Sequence, residues 1–143
     1  MRPVVVDASV ALKWFIGVRP GEDDVDVALH LLAAAGDRRL ALIQPPHFVA
    51  EVCAVLVRES PDTAHRDLAD LLDVAMQIRA EPGTYALAMM LAHRNRQHVF
   101  DTLYHALALK TEDAVLVTAD ERYERQARGE GRVVRLRDFS LPA

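Results

Sequence analysis

The sequence predicts an α/β domain, a three-layer α/β/α sandwich around a central, mainly parallel sheet. Four short aliphatic runs, 3–6 (PVVV), 40–43 (LALI), 114–117 (AVLV) and 132–135 (RVVR), read as strands. The first three are apolar almost without interruption, as expected of parallel strands covered on both faces. Helical patterns separate the runs, and strands alternating with helices are joined by crossovers into a parallel sheet.

In chain order, PVVV opens the sheet and a helix over 9–15 follows, with Trp14 and Phe15 read as core from their spacing. A loop over 17–21 leads to a helix over 23–35 and then to LALI. The helix over 47–59 carries Phe48, Val52 and Val55 on one face. Ser60 and Pro61 break the chain before helices over 62–76, 84–94 and 102–110. The last of these feeds AVLV, and RVVR closes the sheet. With 143 residues, no repeat and no low-complexity linker, the chain reads as one domain over 1–143.

Composition limits the function. No apolar run approaches the roughly 20 residues that span a bilayer, and the N-terminus lacks the pattern of a signal peptide, so a cytoplasmic protein with no membrane partner is expected. Cys53, the single cysteine, excludes an intramolecular disulfide and a cysteine-based zinc cluster and reads as a packing residue. A net charge of −4 argues against a protein that coats nucleic acid. It does not exclude a site whose carboxylates hold divalent cations, because a bound ion inverts the local field.

Four acids stand out. Asp7 follows the first strand and Asp120 closes AVLVTAD, so both lie beyond strand carboxyl ends, where open α/β sheets carry their ligand sites. Capping and turn formation also suit both. Glu51 falls on the margin of an apolar helix face, where a carboxylate needs a metal or a partner such as arginine. Asp101 opens a helical stretch, shares its face with Tyr104, His105 and Ala108, and can serve as an N-cap. If the four converge, two carboxylates about 4 Å apart repel by roughly 4 kcal/mol at an effective dielectric near 20, which a cation must offset. All-oxygen ligation suits Mg2+ or Mn2+, ions fitted to phosphate chemistry. Phosphodiester hydrolysis by metal-activated water follows as the expected reaction.

The segments VVVDASVALKWF, PPHFVAEVCAVLVR, FDTLYHALALK and VLVTADERY together resemble PIN-domain ribonucleases, and in order and acid content the VapC-type toxins of bacterial toxin–antitoxin pairs. The resemblance covers nearly the whole chain. It implies a PIN-like fold, with Asp7, Glu51, Asp101 and Asp120 as catalytic, metal-binding carboxylates and Ser9 and Thr118 as supporting hydroxyls. It also implies an RNA substrate, a cognate antitoxin and a homodimer, with Trp14 and Phe15 as candidates for the partner surface. The chain departs from the pattern at Arg122, where some PIN domains have a further acid, so one metal or two stays open.

Arg94 and Arg96, in HRNRQH, are candidate phosphate contacts, with a solvated loop as the alternative. The six arginines from Arg122 to Arg137 are interspersed with acids and read as surface ion pairs. His30, His47 and His65 lack ligand spacing. His105 is either a catalytic support or a helix-packing residue. Two other functions compete: a catalytically impaired PIN-like module that keeps antitoxin or RNA binding, and a phosphotransfer domain using Asp7 as nucleophile. Ser9, where a haloacid-dehalogenase-type phosphatase has its second acid, weighs against the latter.

Overall fold

The computed structural model describes residues 1–17 and 20–141. Its five strands are β1 (Arg2–Val6), β2 (Leu40–Gln44), β3 (Met76–Ile78), β4 (Val115–Thr118) and β5 (Val133–Arg135). They form one sheet in the order β3-β2-β1-β4-β5, with every neighbouring pair parallel. The helices are α1 (Ala8–Ala11), α2 (Lys13–Ile16), α3 (Val25–Gly36), α4 (Phe48–Glu59), α5 (Ala64–Asp73), α6 (Pro82–Asn95), α7 (Val99–Lys110) and α8 (Glu121–Ala127). The result is an α/β/α sandwich, as the apolar runs predict.

The runs are continuous because the central strands have no wet face. Val4, Val5 and Val6 are fully buried, as is Val117 in β4. The main core joins these strands to Phe48, Val52 and Leu56 of α4, Leu31 of α3, and Tyr104 and Leu107 of α7. Helix α7 packs on β1 and β4 on one side and on α6 on the other. It is therefore buried from Thr102 to Ala108, with no solvated stripe over that stretch. A second small cluster, Ala88, Leu91, Leu103 and Ala106, fills the α6–α7 seam, where the Thr102 hydroxyl donates to the Ala88 carbonyl at 2.7 Å.

Some boundaries differ from the sequence reading. The helix expected over 62–76 stops at Asp73, and Met76 instead opens β3, an edge strand with one neighbour. The helix expected over 9–15 is divided at Leu12 into α1 and α2. Residues 18 and 19 of the expected 17–21 loop lie outside the described residues. Cys53 is only partly buried and does not belong to the core cluster. Trp14 is a core residue, its indole N–H donating to the Ala28 carbonyl at 3.0 Å, and Phe15 packs partly buried against the core.

The strand order puts a reversal at β1. The chain steps from β1 to β2 to β3 on one side, then returns to place β4 and β5 on the other. Adjacent crossovers that diverge in this way leave a crevice beyond the carboxyl ends of β1 and β4. At that end Gln44 closes the sheet. Its buried amide accepts from Val6 N at 2.9 Å and donates to Val6 O at 2.7 Å, replacing a backbone ladder with a side chain.

Candidate active site

The register between β1 and β4 brings the first acid to the last strand. Val6 pairs with Val117, so Asp7 emerges beside Thr118. Thr118 Oγ1 donates to Asp7 Oδ2 at 2.5 Å, and Ser9 Oγ donates to the other carboxylate oxygen. Each hydroxyl is itself anchored, Thr118 Oγ1 accepting from Asp120 N and Ser9 Oγ from Ala119 N, both at 3.0 Å. Asp7 occupies the N-cap position of α1, yet its side chain makes no capping bond. Its carboxylate is committed to the end of β4. Burial pushes its pKa up to about 6; the two hydroxyls oppose that rise, while Asp101 and Asp120 add to it.

Glu51 sits in the first turn of α4, half-buried, as its place on the margin of the apolar face suggests. The partner it requires is not an arginine. Tyr104 Oη donates to Glu51 Oε1 at 2.5 Å, and His47 Nε2 lies 3.3 Å from the same oxygen. Burial raises the Glu51 pKa, but the bonds from His47 and Tyr104 and the charge on His47 outweigh it, leaving the group below the ordinary glutamate value. Tyr104 moves the other way, its hydroxyl held protonated by burial and by the carboxylate it serves.

Asp101 is not an N-cap. His98 holds that position, and Asp101 lies in the first turn of α7, where the helix macrodipole favours a negative charge. Burial, and after it Glu51 and Asp120, raise its pKa. Asp120 does cap, its Oδ1 accepting from Tyr123 N at 3.0 Å at the start of α8. Asp120 thus combines a capping role with a place at the crevice.

The four acids share one electrostatic field, since Asp7 feels Asp101 and Asp120, and Asp101 feels Glu51 and Asp120. Among the described residues, no lysine or arginine forms an ion pair with any of the four. Nor, among those residues, are three His, Cys, Asp or Glu side chains gathered tightly enough to clasp an ion. The acids share a potential without forming a closed coordination shell. Oxygen donors, mutual repulsion and, among the described residues, the lack of a lysine or arginine partner fit a hard divalent cation better than a structural ion pair, although Glu51 does have His47 beside it.

A cavity of about 370 Å³ adjoins this edge, lined by Thr118 and Asp120 together with Lys13, Glu121, Arg135 and Arg137. Its cations are spoken for: Lys13 pairs with Glu22, Arg135 with Asp138, and Arg137 with Glu121 and Asp24. Arg128 pairs with Glu124, in keeping with the ion-pair reading of this stretch. Arg94 is bidentate to Glu130, which also accepts from Asn95, so it tethers α6 to the turn before β5. Arg96 is exposed and ends α6 in the left-handed conformation, with φ 56°.

His105 is fully buried. Its Nε2 faces the Gly131 carbonyl at 2.7 Å and its Nδ1 faces the Tyr123 hydroxyl at 2.9 Å, so it packs α7 against α8 and the β5 turn. Nε2 must carry the proton to satisfy that carbonyl, leaving Nδ1 to accept from Tyr123. The residues that sequence reasoning missed are Tyr104 and His47. The available signals were the i,i+4 spacing of His47 and Glu51 and the i,i+3 spacing of Asp101 and Tyr104.

Residues 4–129 match the family model of the PIN domain. No curated protein matches the chain. Among solved structures, the fold is similar to PAE2754 from Pyrobaculum aerophilum, with a TM-score of 0.65 and 18% identity, covering 95% of this chain and 92% of that one. It is also similar to Mycobacterium tuberculosis VapC20, described as a sarcin–ricin loop cleaving toxin. That match has a TM-score of 0.62 and 16% identity and covers 88% of this chain and 95% of that one. At such identities the likeness is one of fold.

Proposed function

The chain belongs to the PIN domain family, and on that premise we propose that it is a metal-dependent endoribonuclease acting as the toxin of a toxin–antitoxin pair. The observation that carries this reading is Asp7, a buried carboxylate fixed by two hydroxyls and raised in pKa partly by neighbouring acids, with no basic partner among the described residues. Asp7, Glu51, Asp101 and Asp120 would hold Mg2+, with Mn2+ substituting. Such an ion supplies Lewis acidity, lowering the pKa of a water and neutralising charge on the phosphate.

The protein's own groups do the positioning. Ser9 and Thr118 fix the Asp7 carboxylate, while Tyr104 and His47 aim Glu51. Held in place beforehand, these carboxylates lose little side-chain freedom when they bind. The cleavage described for VapC20 is carried over here only as far as RNA. The cognate antitoxin, the homodimer and a cytoplasmic setting belong to the same proposal.

RNA cleavage by purified protein in Mn2+ should fall to background in Asp7→Asn and on chelation. Thr118→Val should lose roughly 10- to 100-fold, as is usual when a group orienting a ligand is removed. Cleavage by Asp7→Asn at the wild-type rate would refute the mechanism. Absence of cleavage by the wild type would favour a module that only binds.

A further inference from the structure

The structure holds four phenylalanines, all described, and three are at least partly buried while Phe100 is 62% exposed. Phe100 precedes Asp101 in the first turn of α7. Its ring lies against His47, with centroids 5.6 Å apart and planes 31° from parallel. His47 is in turn held against Tyr104, at 4.6 Å and 48°. His47 Nε2 is within 2.7 Å of the Phe100 carbonyl and 3.3 Å of Glu51, which pins the imidazole between the two rings. The step Phe100–His47–Tyr104 therefore has a rigid back and an open outer face.

Exposed apolar side chains are ordinary on this surface, Val57, Leu72 and Met89 among them, and what sets Phe100 apart is an aromatic face backed by His47, which itself lies against Glu51. Charge offers a polyanion limited help here, because the chain carries a net −4 and Arg94, Arg135 and Arg137 are already paired, while Arg96 is exposed at the end of α6. Stacking of a base on an aromatic face needs no charge and tolerates any base.

We propose that Phe100, backed by His47, is a stacking platform for an unpaired nucleobase flanking the phosphate that enters the acid set. The inference rests on the nuclease reading above and extends it to the substrate: single-stranded or looped RNA, bound partly through one base face. Duplex RNA, whose bases are already stacked, does not fit the platform.

The test pairs a protein change with a substrate change. Affinities of a short single-stranded oligoribonucleotide and of a fully abasic oligomer of the same length are measured by fluorescence anisotropy, with Ca2+ as the divalent ion. For wild type, loss of the bases should raise the Kd. Phe100→Ala should raise the Kd of the intact RNA by roughly 5- to 100-fold while leaving that of the abasic oligomer almost unchanged. Phe100→Trp should restore tight binding, with indole emission quenched as RNA is added. The proposal is overturned if Phe100→Ala weakens both oligomers equally, which would mean it only supports Asp101. It is also overturned if affinity holds but the oligomeric state changes, which would mean that Phe100 faces protein. Wild type that neither binds nor cleaves RNA would overturn the nuclease reading, and this inference with it. Wild type that cleaves RNA yet shows no dependence on Phe100 would overturn this inference alone.

Discussion

A carboxyl that titrates near pH 6 in the folded chain and near 3.8 in the unfolded one makes the native state hold an extra proton between those values. The unfolded chain releases its proton first. Stability of the metal-free protein therefore falls as pH rises from about 4 to about 6, and the loss is complete above that range. At about 1.4 kcal/mol per pKa unit the penalty is on the order of 3 kcal/mol. In chelator, Asp7→Asn should melt above wild type at about pH 8, with the advantage gone near pH 4. Calorimetry at the two pH values checks this, and a variant less stable than wild type at the higher pH would contradict it. At this scale the sequence was informative about the acids and about Ser9 and Thr118, the hydroxyls that hold Asp7, and less so about the partners of Glu51. Glu51 was legible from its helix margin, whereas its partner Tyr104 is 53 positions away, and no local spacing announces such a contact.

Among the elements, α6 ends in an uncommon way. Arg96 adopts φ 56°, a conformation that crowds Cβ and costs a residue other than glycine roughly 1–2 kcal/mol. Arg96→Gly should raise the melting temperature by a few degrees, less whatever glycine gains in the unfolded chain. If Arg96 also contacts phosphate, RNA affinity should drop and the salt dependence of binding should flatten. Thermal melts and salt titrations separate the two effects. The elements legible in the sequence were those with a one-signed pattern. The β1, β2 and β4 runs are apolar because both faces are covered, whereas β3 has one neighbour and leaves Gln77 and Ile78 exposed, so its composition carries no strand signal. Helix α8 went unread because ERYERQA is mostly charged and buries only Tyr123, Glu124 and Ala127.

In the molecule as a whole, the acids come from four separate stretches, after β1, in α4, in α7 and after β4, and they meet only because the sheet reverses at β1. A cation held between them would bind the native state and not the unfolded chain. Mn2+ at about a hundred times its Kd should add roughly 2.7 kcal/mol of stability. Asp101→Asn should lose most of that gain while keeping the metal-free melting temperature within a few degrees of wild type or above it. Melts with and without Mn2+ decide this, and an equal shift in the variant would place the ion elsewhere. The layer architecture was readable in advance because alternating strands and helices leave few alternatives. The convergence of the acids was implied by the family resemblance and not by the alternation of strands and helices, since it depends on the strand order, which that pattern left open.

The bond from Thr118 to Asp7 spans 111 positions of the chain. Synthesis proceeds from the N-terminus at about 5–20 residues per second, so Asp7 is made on the order of 5–20 s before the strand that orients it. Throughout that interval the growing chain has its first acid but neither Thr118 nor Asp120. A nascent chain that has not reached residue 118 therefore carries an Asp7 without the Thr118 hydroxyl that fixes its carboxylate in the folded protein.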